Sequence, residues 1–277
     1  MSQGRAAQGA EQEWAPPGID TTVPHSARMY DWWLGGKDNF AADRAMGELF
    51  VQAIPSIRTM ARENRNFMHR ATRYLSREAG IRQFLDIGTG IPTRPNLHDT
   101  AQEVAPDTRV VYVDNDPIVL VHARALMVPQ AMGATAYIDA DIREPERILS
   151  SDELRATLDL HKPVGLMLVA ILMLLSDAED PWSKVRTLMD ALPSGSHIAI
   201  THPTGDFNPG EMAAAVAAAS RGGITLVPRT RAEVARFFDG WELIEPGVVP
   251  VMAWRPDGSP PADPTAAYYW AGVARKP

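Results

Sequence analysis

An α/β fold around a mostly parallel sheet is what this sequence predicts, and two observations carry the prediction. Five short apolar runs, at 83–87, 109–113, 134–138, 164–174 and 197–201, are nearly continuous rather than alternating in polarity. Strands covered on both faces read this way, and parallel sheets are covered on both faces. Between these runs lie segments of helical pattern, at 96–104, 117–127, 144–158 and 182–191, and such alternation marks a doubly covered sheet. Two later strand-like runs, 241–249 and 268–274, flank the turn-rich segment 255–264 and are expected to pair as a hairpin.

Residues 1–18 mix Gly, Ala, Gln, Glu and Pro without apolar periodicity and read as a flexible tail. An N-terminal helical cap is expected over 19–80. Aromatic and apolar residues are dense from Ser26 to Leu34, until Gly35-Gly36 breaks the run. Helices follow over 41–53 and 57–79, with Pro55 between them. In the second, Met60, Phe67, Thr72 and Leu75 fall near one face and the arginines mostly elsewhere. The main α/β domain is expected over 81–277. Asp116 is placed to cap the helix at 117, and Pro117 suits its first turn. Helices return over 211–220, rich in alanine, and over 232–238.

The length of 277 residues suits one large α/β domain or two small ones, and 45% hydrophobic with 22% charged residues suits a soluble globular protein. A net charge of −7 disfavours generic nucleic-acid binding. With no cysteine, disulfides, thiolate nucleophiles and cysteine metal sites are excluded. The longest apolar stretch, 164–175, is too short to span a bilayer, and no signal-peptide pattern opens the chain, so a cytoplasmic protein without membrane attachment is expected. The oligomeric state is left open.

The strongest local signal is Phe84-Leu-Asp-Ile-Gly-Thr-Gly90, a buried strand that ends at an acid before a turn framed by glycines. Glycine lets the backbone pass close to a ligand, and the carboxyl ends of strands are where open α/β sheets bind ligands. The next strand ends at Asp114, 24 residues after Gly90, near the roughly 20-residue spacing at which a carboxylate meets a ribose diol. The third strand leads to Asp141. A dinucleotide would require a third glycine for its pyrophosphate, but Thr93 stands there. That argues against a nicotinamide dehydrogenase. S-adenosylmethionine has an ammonium, a ribose diol and an adenine amine, which suit Asp86, Asp114 and Asp141 in turn. Tyr30 or Trp33 is a candidate to stack over the sulfonium or adenine. Arg62, sharing a helix face with Asn66, is a candidate for the cofactor carboxylate. Gly88, Thr89, Gly90, Asn115, Ile142 and Ala170 complete the candidate cofactor contacts. His98 and His202 are candidates for a general base, with a structural role the commoner one for such histidines. The triplet Asp114-Asn-Asp116 lacks the later residues of a calcium loop, so no metal is expected.

In these blocks the chain resembles an actinomycete family of S-adenosylmethionine-dependent methyltransferases. The resemblance lies in Ala27-Arg-Met-Tyr-Asp-Trp-Trp-Leu-Gly-Gly-Lys-Asp-Asn-Phe40, in Arg82-Gln-Phe-Leu-Asp-Ile-Gly-Thr-Gly90, and in Val111-Tyr-Val-Asp-Asn-Asp-Pro117. It implies a seven-stranded class I methyltransferase (Rossmann-like) sheet, mostly parallel with an antiparallel last strand, and S-adenosyl-L-methionine as cofactor; it does not identify the acceptor, which is expected to be a small molecule, apolar or aromatic. Where the family usually has Val-Leu-His after the fourth strand, this chain has Ile171-Leu-Met173. The alternative function is a cofactor-binding regulator without transferase activity.

Overall fold

A computed structural model describes residues 19–126, 133–259 and 261–277. The tail expected over 1–18 lies outside the described residues, as does the last residue of the helix expected over 117–127.

Four strands run parallel: β1 (Gln83–Ile87), β2 (Arg109–Asp114), β3 (Ala134–Asp139) and β4 (Gly165–Val169), and β5 (His197–Pro203) continues in the same sense beside β4. Antiparallel β8 (Tyr269–Arg275) pairs with β5, and the two-residue strands β6 (Glu242–Leu243) and β7 (Val249–Pro250) pair with β8. The order β3-β2-β1-β4-β5-β8-β6 reverses direction at β1. Such a reversal opens a crevice at the carboxyl ends of β1 and β4. Strand residues divide between two cores. Leu85, Ile87, Leu166 and Leu168 face one, and Phe84 and Met167 face the other. Burial on both faces is why these strands carry continuous apolar runs.

Helices α1 (Ser26–Trp33), α2 (Ala41–Ala53) and α3 (Ile57–Arg77) precede the sheet. The 21-residue α3 buries Met60, Ala61, Asn64, Phe67, Met68, Ala71 and Leu75 along one stripe, as an amphipathic helix packed on a core does. It lies against β4, β5 and β8, and α2 lies against α9 (Pro209–Arg221). Arg70 ties α3 to the far end of the chain, donating to the carbonyls of Trp254 and Val251 at 2.9 and 2.7 Å. Between the strands run α4 (Leu97–Gln102), α5 (Pro117–Leu126), α6 (Pro145–Ser150), α7 (Asp152–Thr157) and α8 (Pro181–Asp190), and α10 (Arg231–Ala235) precedes β6. Asp116 caps α5 as expected, its Oδ1 accepting from Ile118 N at 3.0 Å.

Three expectations need correction. The run at 164–174 is strand only to Val169; Leu172–Leu174 form a 3-10 turn that is packed, so apolar composition did not reveal the break. The run at 241–249 divides into β6 and β7 around Pro246, which cannot donate to a ladder, so among the described residues the expected sheet counts eight strands, two of them halves of one run. The helix expected over 144–158 is two helices. Ser151 is extended between them, and its hydroxyl accepts from Leu154 N at 3.3 Å to cap α7.

Candidate active site

The crevice is built by the turn after β1. Gly88 and Gly90 have φ of +76° and +66°, a region open to glycine and costly for other residues. Gly88 N donates to Val113 O at 2.8 Å, and Thr89 Oγ1 donates to Asp86 O at 3.0 Å. Asp114 locks this turn from the neighbouring strand: Oδ2 accepts from Gly90 N at 2.7 Å and Oδ1 from Asp116 N at 2.9 Å. Asp141, after β3, accepts from Asn115 Nδ2 at 2.7 Å and pairs with Arg143 Nη1 at 3.1 Å. Arg143 also reaches Glu179 at 2.5 Å, and it donates to Leu174 O at 2.7 Å, so one guanidinium spans the β3 and β4 ends. At the β4 end Ala170 has φ +54° and donates its N–H to Thr201 Oγ1 at 2.9 Å. A non-glycine residue held there costs on the order of 1–3 kcal/mol, and such strain clusters at functional sites.

Around these groups lies a cavity of about 380 Å³, within the range of small-ligand sites. Ten of the eleven candidate cofactor residues line it: Tyr30, Asp86, Gly88, Thr89, Gly90, Asp114, Asn115, Asp141, Ile142 and Ala170. Arg62 does not. Its side chain is 63% exposed, beside Glu63 at 3.9 Å. The face it shares with Asn66 is the solvated one. Arg65, which sequence reasoning passed over, lines the cavity instead. Its guanidinium donates to the carbonyls of Thr93 and Pro95.

Two charged side chains in this cavity, a buried one and a half-buried one, lack an ionic partner among the described residues. Asp86 is 8% exposed and, among the described residues, makes neither a side-chain hydrogen bond nor an ion pair. Burial pushes its pKa up to about 7, with Arg65 opposing and Asp114 adding to the rise. Arg65 contacts only neutral carbonyl acceptors, and burial lowers its pKa. An unpaired buried carboxylate is costly, and with Arg65 in the same lining the cavity offers charge of both signs.

The aromatic N-terminal block packs over this region. Tyr30 and Trp33 line the cavity, while Met29 is buried in the core. The Tyr30 hydroxyl donates to Ala61 O at 2.8 Å and accepts from Asn64 Nδ2 at 2.9 Å. After α1 the chain closes on itself. Asp31 Oδ2 accepts from Asp38 N and Asn39 Nδ2 at 2.9 and 2.8 Å, and a Cβ on Gly36 would overlap the Asp31 carboxylate. The Asp31, Gly36 and Asn39 spacing is thus a single buckle. His25 and Arg28 join the block to the sheet through Asp116, at 2.8 and 3.5 Å.

Neither candidate base reaches the cavity lining. His202 is fully buried, with Nδ1 2.9 Å from Pro203 O and Nε2 2.9 Å from Arg229 Nη1. Burial drops its pKa to about 3, so it stays neutral. His98 Nδ1 is 2.7 Å from the Tyr112 hydroxyl. Met173 does line the cavity.

A sequence model of the family described as S-adenosyl methyltransferase matches residues 12–277. The chain belongs to this family. It is an S-adenosyl-L-methionine-dependent methyltransferase with an unidentified acceptor. Two solved structures are similar over almost the whole chain. A DUF574 family protein from Streptomyces avermitilis is 46% identical, with a TM-score of 0.90 over 93% of this chain and 99% of that one. A candidate methyltransferase from Thermobifida fusca is 41% identical, with a TM-score of 0.87 over 96% and 99% of the two chains. No curated protein matches the sequence. Among the described residues of this methyltransferase, no helix is long and apolar enough to cross a membrane.

Proposed function

We propose that the methyltransferase holds its cofactor across the β1, β2 and β3 ends, with the amino-acid moiety between Asp86 and Arg65. The observation that carries this reading is an unpaired buried carboxylate and a half-buried guanidinium without an ionic partner lining one cavity. An α-ammonium answers the first and an α-carboxylate the second. Asp114 takes the ribose hydroxyls with the lone pairs that its two backbone contacts leave free, and Asp141 takes the adenine amine. Gly88 and Gly90 let the turn approach, with Thr89, Asn115, Ile142 and Ala170 as walls. Helices α1–α3 cap the site, and the chain from 81 onward forms the cofactor domain.

Bound there, S-adenosylmethionine supplies a methyl group already activated by its sulfonium. The chain's own contribution is position and field. Asp86, Asp114 and Arg65 fix the cofactor's ends, while the apolar wall from Met173 to Tyr30 excludes water. No histidine other than His25 lines the cavity among the described residues, and orientation rather than a dedicated base sets the rate.

Calorimetry with two ligands tests the assignment. S-adenosylhomocysteine carries the amino-acid moiety; 5′-methylthioadenosine lacks it. Arg65→Gln is expected to weaken the first at least about tenfold and to leave the second unchanged. Asp114→Ala is expected to weaken both by about ten- to a hundredfold, since both carry the ribose. Equal losses for the two ligands in Arg65→Gln, or wild-type affinity in a folded Asp114→Ala protein, would reject the assignment.

A further inference from the structure

The cavity changes character away from the strand-end acids. Its ionisable lining residues other than tyrosines are His25, Arg65, Asp86, Asp114, Asp141 and Arg143. All lie on the N-terminal segment, on α3 or at the ends of β1, β2 and β3. Helices α2 and α9 and strand β8 contribute Phe50, Met212, Ala215 and Tyr269, with no charged side chain among them. With Met60 and Trp33 these residues belong to one packed apolar cluster. Trp33 and Phe50 meet with ring centroids 5.4 Å apart, so part of the wall is aromatic. Methionine beside aromatic rings makes a polarisable, adaptable surface suited to flat apolar ligands.

The Tyr269 hydroxyl is one of the few polar groups in this compartment, with Asn64 and Thr225 also in the cavity lining. Three tyrosines line the cavity. The Tyr30 hydroxyl is held by Ala61 O and Asn64, and the Tyr112 hydroxyl by His98. Tyr269 is 5% exposed, and its hydroxyl has no hydrogen-bond partner among the described residues. The oxygen is not enclosed by protein but open to the cavity, where it is free to take a partner. Burial, with Tyr30 nearby, drives its phenol further above the usual range, so at neutral pH it is a proton donor and not a base.

We propose that this compartment takes the methyl acceptor, that the acceptor is a small uncharged aromatic compound bearing a hydroxyl, and that the Tyr269 hydroxyl donates a hydrogen bond to that oxygen. The proposal rests on the cofactor reading above, because it assigns the remaining half of the same cavity. A carboxylate or ammonium entering here would find no counter-charge, whereas a phenol finds rings, methionines and the Tyr269 donor. Tyr269 is then a specificity-determining residue, set on the strand that pairs with β5 beside the crevice, opposite Pro203.

The test uses the full chain loaded with S-adenosylhomocysteine, its occupancy first measured by calorimetry. Four matched probes are titrated by ligand-observed NMR: 4-methylphenol, toluene, 4-methylbenzoate and 4-methylbenzylamine. The phenol is expected to bind about three- to tenfold more tightly than toluene, the size of one hydrogen bond. Both charged probes are expected to bind at least about thirtyfold more weakly than the phenol. Tyr269→Phe keeps the ring and is expected to erase the preference for phenol over toluene, with toluene and S-adenosylhomocysteine binding unchanged. A merely structural tyrosine would alter toluene binding or cofactor binding instead. Absence of phenol binding to the loaded protein, equal binding of a charged probe, or a phenol preference that survives Tyr269→Phe would each overturn the proposal. Failure of S-adenosylhomocysteine itself to bind would overturn the cofactor reading, and this one with it, before any probe is added.

Discussion

Asp86→Asn is expected to lower S-adenosylhomocysteine affinity about a hundredfold at pH 8 while making the unliganded protein more stable. Both effects follow from one buried, unpaired carboxylate. Removing its charge leaves the ligand's ammonium buried without a partner, hence the loss of affinity. The stability change has the opposite sign. The folded-state pKa is raised to about 7 from 3.8, so the native protein holds a proton that the unfolded chain has already released. Relative to Asn, wild type therefore loses stability as pH rises from about 4, and the whole deficit is present above about 7. It amounts to at most about 4 kcal/mol at 1.36 kcal/mol per unit, or several degrees in Tm. Scanning calorimetry at pH 5 and pH 8 is expected to show the larger gain at pH 8. In wild type, ligand affinity should fall as pH drops below about 7, and that slope should vanish in Asp86→Asn. An equal gain at the two pH values, or a slope retained in the variant, would show that Asp86 titrates elsewhere.

Gly88→Val is expected to abolish measurable cofactor binding and to lower Tm by several degrees. The backbone at 88 has φ +76°, which costs a side chain about 1–2 kcal/mol. A Cβ there would lie 2.6 Å from Ile171 Cδ1 and Cγ1, so Ile171, itself a cavity residue, must move. Gly90→Ala separates packing from ligand approach. Its φ is +66°, but a Cβ there meets nothing within 4 Å of protein. It should weaken S-adenosylhomocysteine binding with a smaller loss of stability than Gly88→Val. Wild-type binding in both variants would remove the glycine turn from the site.

The acids at the strand ends were legible because two periodicities met there: a buried strand stops, a polar residue follows, and the topology gathers successive strand ends into one crevice. Arg65 was harder to read. Arg62 and Arg65 differ by three positions, and both sit among polar neighbours. At about 100° per residue, Arg65 lies about 40° from Ala61 and about 60° from Met68, whereas Arg62 lies about 100° and about 120° from them. The usable signal was therefore proximity to the Ala61 and Met68 edge of the buried stripe, with Arg65 at its margin and Arg62 well away from it. Tyr269 carried no such signal. An aromatic residue in a strand is ordinary, and only the missing partner of its hydroxyl distinguishes it. The two-part sixth strand was readable at Pro246, but the turn after Val169 was not, since residues on both sides of it are apolar and packed.

The tie between α3 and the far end of the chain bears on how the protein comes to exist. Arg70 bonds to carbonyls 181 and 184 residues away, and β8 inserts between β5 and β6. Contacts of such sequence separation form late and slow a fold, because long loops must close before they gain anything. During synthesis the N-terminal helices can pack on one another and on α4, but the part of α3 that lies against β8 stays uncovered until that strand is made. The nascent chain thus exposes part of its own cavity wall until β8 has been made, a state prone to aggregation and to chaperone capture. The cavity wall is complete only once β8, which carries Tyr269, has joined the sheet.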